Sequence, residues 1–414
     1  MATTASFSAI TATLEKDILD ILPYQRYQRA PLLKMFGGFE PVNDQQDFYR
    51  ENRTIPVGTR GTSMQNNNLY FSIITGQTGG AGAMSTALQV AYGQVPMQQG
   101  VVPLSRQYAA FTIGEDVLLT PGVIKDTFAL YVQQSINASA MDQSRQLYSD
   151  GTGLIGTANA TQSTPSTTFV FAASTNGDID YAEFVAGSAA GGTLLQIGTN
   201  QPVQVVGTTA KNTVTLSSAI TWTAGNSVYK VSPDGVVSNI ELVGLNGIIG
   251  TGAYAGITDP SWLSNVTTSF GSFSGNGGDS ALSNLWVKTG RNGDPSLILM
   301  NATLFSSYGN GLTSLKQFQS TTNADLYAGW ETLSFMGGKG TVVLDFYCPD
   351  DHIYVLTPST LWTATLENIH WLPGTEGILN RIPGSATFEA TATEYKSVFS
   401  NVRGANSFMS GVTA

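Results

Sequence analysis

Few side chains in this 414-residue sequence have the types and spacing that catalysis requires. The two histidines, His352 and His370, are far apart, and the sequence contains no HExxH or CxxC pattern that would bind a metal. Asp350 and Asp351 are adjacent carboxylates, but neighbouring residues of a strand point to opposite faces. We therefore interpret them as part of a polar loop and not as an acid–base pair.

Two glycine-containing motifs also have simpler structural explanations. Asp150-Gly-Thr-Gly resembles the Asp-Thr-Gly of aspartic proteases, but it has an extra glycine and no second copy, so we interpret it as the end of a helix. The glycines from Gly244 to Gly250 lie within an apolar stretch of helical spacing, 236–250, whereas a phosphate-binding loop follows a strand. The sequence thus predicts a protein that is not an enzyme and needs no cofactor or metal.

The amino-acid composition limits which classes of protein this chain can belong to. Charged residues make up 12% of the chain, the formal net charge is −10 and the pI is about 4.6, which argues against tight binding to a phosphate backbone. Cys348 is the only cysteine, so no intrachain disulfide can form. We find no secretory signal and no apolar run long enough for a membrane span, and we expect synthesis in the cytoplasm. A secreted β-rich surface protein would share this composition, but the missing signal disfavours it.

A long helix is predicted from Pro121 to Ser149. Thr120 can cap its N-terminus, Pro121 suits the first helical position, and the glycines after Asp150 end it. At ~1.5 Å per residue the helix spans about 43 Å, which suits a spine lying across a broad structure. Its predicted apolar stripe consists of Ile124, Phe128, Val132, Ile136, Ala140, Leu147 and Tyr148.

Strand patterns precede this helix. Residues 68–74 and 86–92 are predicted to flank a glycine-rich tip at 76–82, and a further β-rich run covers 101–113. A projecting hairpin has open edges, so it either folds back on its own sheet or lies on another subunit. Near the N-terminus, an amphipathic helix is predicted over 13–22.

The second half of the chain combines short strands with helices. Residues 157–235 are rich in Thr, Ser, Ala and Gly and are predicted to form a self-contained β insertion. Helices are then predicted at 236–250, 283–290 and 302–308, and strands at 297–300, 341–346, 352–357 and 389–402.

This order of elements resembles the major capsid protein of tailed double-stranded-DNA phages, the Hong Kong 97-type capsid fold. Two runs, Arg145–Gly156 and His352–Leu361, look like the end of that family's spine helix and its late axial-to-peripheral strand. The resemblance implies an α+β fold. Its implied parts are an N-terminal arm (1–54), an extended β-hairpin loop (55–112), a peripheral domain with the spine helix (113–156 and 366–414), an inserted β-rich domain (157–235) and an axial domain (236–365).

The resemblance also implies a function. The chain would be a structural subunit that self-assembles as hexamers and pentamers into the icosahedral head enclosing double-stranded DNA, and it would reside in the virion. Implied partners are a separate scaffolding protein, a portal protein and packaged DNA bound without sequence specificity, with decoration proteins left open and no membrane. We expect inter-subunit contacts at Leu14, Ile18, Leu22, Tyr70, Phe71 and Ile73.

Two alternatives and one departure accompany this interpretation. An encapsulin-like nanocompartment shell has the same fold, but the insertion and the chain length count against it. A hydrolase using Asp150 or the Asp350–Asp351 pair is the least favoured. Some relatives crosslink their shells through a lysine of the extended loop, whereas this sequence has no lysine between Lys34 and Lys125. We therefore predict no isopeptide bond from that loop.

Overall fold

The computed structural model describes residues 31–37, 54–56, 62–65, 67–75, 94–115, 124–172, 193–210, 212–232, 241–250, 252–258, 265–267, 270–273, 275–313, 332–335, 339–372 and 379–414. The predicted helix at 13–22, with Leu14, Ile18 and Leu22, lies outside these ranges. The predicted hairpin tip at 76–82 and the strand at 86–92 also lie outside them.

These residues form helices and strands that we number in chain order. The α-helices are α1 (Pro31–Gly37), α2 (Ile124–Gln146), α3 (Leu245–Ile248), α4 (Gly275–Thr289) and α5 (Ala302–Thr313). The strands are β1 (Thr54–Pro56), β2 (Ser63–Gln65), β3 (Asn68–Ile74), β4 (Met97–Pro103), β5 (Ser105–Gly114), β6 (Leu154–Thr157), β7 (Gln162–Val170), β8 (Leu194–Ile197), β9 (Val203–Ala210), β10 (Thr213–Trp222), β11 (Ser227–Val231), β12 (Asn265–Thr267), β13 (Gly271–Ser272), β14 (Leu297–Met300), β15 (Thr332–Phe335), β16 (Gly340–Leu344), β17 (Ile353–Leu356), β18 (Leu361–Trp371), β19 (Asn380–Arg381), β20 (Thr387–Ser400), β21 (Ser407–Met409) and β22 (Val412–Thr413). Helices and sheets both contribute, as the predicted α+β class requires.

A hairpin precedes the long helix, but its strands differ from the prediction. β3 pairs antiparallel with β4 along its whole length, from Asn68 opposite Pro103 to Ile74 opposite Met97. The predicted single run over 101–113 is divided into β4 and β5. Pro103 has no amide hydrogen to continue a ladder, and the Leu104 N–H instead donates to the Asn67 carbonyl at 3.0 Å.

The long helix α2 lies against a five-stranded sheet. Its central strand, β20, pairs antiparallel with β18 and β19 on one side and with β5 on the other, and β1 joins the far edge of β18 in parallel. The predicted helix is confirmed, and the chain turns beyond it at Gly151 and Gly153, whose φ angles are 88° and 82°. Val132 and Ala140 of the predicted stripe are buried.

The six strands β6 to β11 form a small closed barrel. Their order is β6-β11-β8-β9-β10-β7, and the bridge between Ala158 and Phe171 brings the chain after β6 against the chain after β7. Eleven fully buried apolar side chains, including Phe169 and Val205, fill the interior. The β character predicted for 157–235 is confirmed in its described part, and these strands share one hydrophobic core.

A third sheet, with order β12-β21-β17-β14-β16-β15, carries α4 and α5. The predicted strands at 341–346 and 352–357 are confirmed as β16 and β17, but they do not pair with each other. Both pair with β14, β16 in parallel and β17 antiparallel. Every side chain of β14 and β17 is buried, which explains their uninterrupted apolar runs.

The predicted helix at 236–250 is wrong for most of its described length. Only α3 is helical there, and residues 241–244 are not. The reason is the close packing of this segment on the end of α2: a Cβ at Gly244 would lie 2.3 Å from the Gln146 carbonyl oxygen. The predicted helices at 283–290 and 302–308 are confirmed within α4 and α5. None of the described helices is long and apolar enough to cross a membrane.

Candidate assembly surfaces

The aspartate that resembled a protease motif has a structural role. Asp150 Oδ1 accepts hydrogen bonds from the Thr152 N–H at 3.0 Å and the Thr152 hydroxyl at 2.5 Å, which closes a turn after α2. Such a turn, followed by Gly153, reverses the chain into β6. The interpretation of this motif as a helix terminator is confirmed.

The adjacent carboxylates lie in the loop between β16 and β17. Asp350 is buried, whereas Asp351 pairs with His352, with 2.5 Å between Oδ1 and Nδ1. Burial opposes ionisation of Asp351, but the hydrogen bond and charge of His352 lower its pKa. The His352 ring stacks on Tyr354 with centroids 5.8 Å apart. Within the described residues, no three His, Cys, Asp or Glu side chains are grouped as a metal site would require.

The predicted contact residues of the hairpin are divided between its two faces. Phe71 and Ile73 are 2% exposed and belong to the main core of this chain, where the Phe71 ring lies 4.5 Å from that of Phe399. Tyr70 points the other way and is half-buried. Phe71 and Ile73 therefore hold the base of the hairpin against the sheet, and Tyr70 is the member of this group that a neighbour could reach.

Apolar side chains are exposed where the hairpin and the sheet face outward. Val95 and Met97, at the outer end of the described hairpin, are 51% and 58% exposed. Tyr108 on β5 is 52% exposed, on the sheet face opposite α2. Large exposed apolar groups of this kind are typical of surfaces that another protein covers.

A partly buried ionic network fixes the C-terminal end of α2. Asp142 Oδ1 lies 2.8 Å from Lys230 Nζ of β11 and 3.1 Å from Arg145 Nη2. Arg145 also pairs with Glu241, which is 4% exposed. The network thus joins the spine helix to the barrel and to the chain that returns from it.

The charges of this network shift each other's ionisation. Burial would raise the pKa of Asp142, but the neighbouring Lys230 and Arg145 hold it well below its usual range. Burial raises the pKa of Glu241, although Arg145 beside it acts in the opposite direction. No sequence pattern pointed to this network, because Arg145 and its partner Glu241 are 96 residues apart. In the sequence, only the i,i+3 spacing of Asp142 and Arg145 indicated an ion pair.

A second polar cluster lies between α2 and β20. Gln143 is fully buried, and Glu394 and Lys396 are 8% and 5% exposed. Lys396 Nζ donates to Gln143 Oε1 at 2.7 Å and lies 3.3 Å from Glu394 Oε2. Alternate residues of a strand share a face, so the spacing of Glu394 and Lys396 could have indicated a common site.

The short helix α1 is anchored in the main core. Leu32, Leu33, Met35 and Phe36 are each at most 3% exposed, and the Leu32 N–H donates to Asp345 Oδ2 at 3.3 Å. Asp345 also accepts a hydrogen bond from the Tyr148 hydroxyl at 2.8 Å, and its burial raises its pKa. The chain before the hairpin is therefore held against the end of the spine helix.

The described strands of the barrel carry few charged side chains. Among its described residues, Lys230 is the only charged side chain, and it faces Asp142. The exposed positions of β7 are instead Ser, Thr and Pro.

Comparison with known proteins identifies the fold. No family model and no curated protein sequence matches the chain. Its structure is similar to a chain of the cyanophage A-1(L) capsid asymmetric unit, with a TM-score of 0.50, 12% identity and 93% of each chain covered. A chain of the satellite phage P4 procapsid gives a TM-score of 0.45 at 10% identity, covering 100% of this chain and 93% of that one. The SrpI encapsulin of Synechococcus elongatus gives 0.39 at 11%, covering 90% and 92%.

Proposed function

We propose that this chain, which has the fold of a phage capsid protein, is the major capsid protein of a tailed double-stranded-DNA phage. Many copies would assemble as hexamers and pentamers into the icosahedral head of the virion after synthesis in the host cytoplasm. The observation that carries the proposal is the similarity to the cyanophage capsid chain, which extends over 93% of both chains.

The fold supports an assignment of the parts of such a subunit. The sheet of β5, β18 and β20 with helix α2 would be the peripheral domain, and the sheet carrying α4 and α5 would be the axial domain around which subunits meet. The β3–β4 hairpin would be the extended loop, and the barrel would be an inserted domain. The N-terminal arm would begin before α1.

The exposed apolar side chains support contacts between subunits. Val95, Met97 and Tyr70 would lie against a neighbouring copy, because a hairpin end with open edges and exposed apolar groups needs cover. Leu14, Ile18 and Leu22 remain proposed contacts of the arm. Phe71 and Ile73 would contribute indirectly, by fixing the hairpin on its own subunit.

The remaining partners follow from the same proposal. The net charge of −10 suits a wall that encloses DNA without binding it tightly or specifically. A separate scaffolding protein and a portal protein would take part in assembly, and decoration proteins could use the outer surface. Nucleic acid inside purified particles would distinguish this head from a nanocompartment shell with enzyme cargo.

Shortening the hairpin tests the proposal. The Thr75 N–H donates to the Pro96 carbonyl at 2.8 Å, so residues 76–95 can be replaced by an Asn-Gly turn without breaking the described ladder. We expect a subunit with an unchanged melting temperature that no longer forms shells in sedimentation and electron microscopy. Normal shells from this variant would contradict the role given to the hairpin.

A further inference from the structure

The Gln143–Glu394–Lys396 cluster contains the three groups that an amide-forming reaction needs. It holds a primary amine, a carboxamide and a carboxylate, all more than nine-tenths buried between α2 and β20. Lys396 Nζ is 2.7 Å from Gln143 Oε1, so the amine nitrogen lies next to the carboxamide that it would attack. The cluster plays no part in the assembly surfaces described above.

The carboxylate occupies the position of a proton shuttle. Glu394 Oε2 lies 3.3 Å from Lys396 Nζ and 3.3 Å from Gln143 Nε2, so one oxygen bridges the attacking and the departing nitrogen. Gln143 Nε2 also reaches the Ser139 hydroxyl at 3.5 Å. A general acid–base must lie within hydrogen-bond reach of both proton positions, and here a single carboxyl group does.

We propose that Lys396 and Gln143 form an intramolecular amide bond that links the spine helix to β20 within one chain. Proton transfer from the ammonium to Glu394 leaves a neutral amine. The amine nitrogen attacks Gln143 Cδ and forms the Nζ–Cδ bond. Glu394 delivers its proton to Nε2, the Cδ–Nε2 bond breaks and ammonia leaves, while the second Nζ proton returns to Glu394. The reaction therefore needs no oxidant or other co-reactant.

The bond would close a loop between residues that are 253 positions apart. A covalent link of this span restricts the unfolded chain strongly, as a disulfide does. It would also prevent α2 from separating from the sheet it lies on. Because both partners belong to one chain, the bond does not depend on shell formation, and the two proposals stand or fall separately.

Mass spectrometry of the full, denatured chain tests the inference. We expect an intact mass below the sequence mass by about 17 Da, the mass of the ammonia released by the amide exchange. Trypsin should then yield a branched peptide in which residues 126–145 are joined to residues 382–403, with no cleavage after Lys396. The full sequence mass, with separate peptides and normal cleavage at Lys396 after prolonged incubation at neutral pH, would overturn the proposal.

Three variants control this measurement. Lys396→Arg keeps the positive charge but removes the nucleophile, and Glu394→Gln removes the shuttle, so each should restore the full mass. Lys288→Arg alters an exposed lysine on α4 and should leave the mass deficit unchanged. A deficit that persists in both Lys396→Arg and Glu394→Gln would arise from another modification, such as a succinimide, and would refute the assignment.

Discussion

At the residue scale, four charged side chains stabilise the end of the spine helix by neutralising each other. Asp142 faces two cations, Lys230 and Arg145, and Arg145 is in turn shared with Glu241. Removing one partner of a buried ion pair lowers the free energy of unfolding by more than the intact pair contributes. The remaining charge is then buried without a counter-ion. Asp142 is therefore the member whose loss should matter most.

Asp142→Asn should lower the free energy of unfolding by about 2–4 kcal/mol at pH 7, because the buried Arg145 and the partly buried Lys230 lose their shared counter-ion. The folded-state pKa of Asp142 lies below its unfolded value. Its contribution is thus fully present above pH ~4 and is lost as the pH falls below that value. Denaturant unfolding of both proteins at pH 7 and pH 3 should show the difference shrinking at pH 3. An equal difference at both pH values would contradict the assigned role.

Gly244→Ala should destabilise the chain by about 3 kcal/mol, because the added methyl group meets backbone that cannot rotate away. Its Cβ would lie 2.3 Å from the Gln146 carbonyl oxygen and 2.4 Å from that of Leu147. Gly252→Ala, in the same segment, adds its methyl group to open space and is the matched control. Thermal melts that shift equally for the two variants would show that the close approach is unimportant.

The roles of some single residues could be predicted from the sequence, and those of others could not. The turn at Asp150 was predictable because it is local: an aspartate, a threonine and two glycines suffice. The ionic network was not, because Lys230 and Glu241 reach Asp142 and Arg145 only after the whole barrel has folded between them. The glycine at 244 was misread, because its contact is with a helix about a hundred residues earlier.

At the element scale, the barrel has what an independent domain needs. Its six strands close on themselves, its core contains Phe169, Phe171 and Trp222, and the Lys230 N–H donates to the Gly153 carbonyl where the chain enters and leaves. Neighbouring ends allow such a unit to be inserted into a host fold without distorting it.

Residues 153–232, expressed alone, should fold into a β-rich domain that unfolds cooperatively. Phe169→Ala should abolish that transition, because removing a fully buried ring costs about 3–5 kcal/mol. Thr168→Ala, at the exposed neighbouring position, should leave it nearly unchanged. Circular dichroism during heating distinguishes these results, and an unfolded isolated segment would show that the barrel depends on its host.

Elements were predictable where their pattern was strong. The helix α2 was found from spacing, capping residues and glycines, and the β character of the barrel was found from its composition. The first half of the hairpin partner β4 was missed, because its exposed glutamines hide the alternation that marks a strand. The segment at 236–250 has helical spacing but takes its conformation from packing against α2, a tertiary effect that outweighs local propensity.

At the scale of the whole molecule, order along the chain carried more information than any motif. Hairpin, long helix, β insertion and helix-bearing sheet follow one another as the sequence resemblance required, and the fold is shared with a phage capsid chain at 12% identity. The low charge content also fits a subunit that neighbours cover on several sides. The number and arrangement of subunits depend on contacts between copies of the chain. No pattern within one chain encodes them directly.

Electron microscopy of the purified chain tests the central claim most directly. The chain should be expressed alone and together with the products of the genes beside its own, because a scaffolding protein can be required. We expect closed shells, tubes or six-membered rings, and nucleic acid within particles made during infection. A monodisperse monomer in both preparations, across salt and protein concentration, would contradict the proposal that this chain builds a capsid.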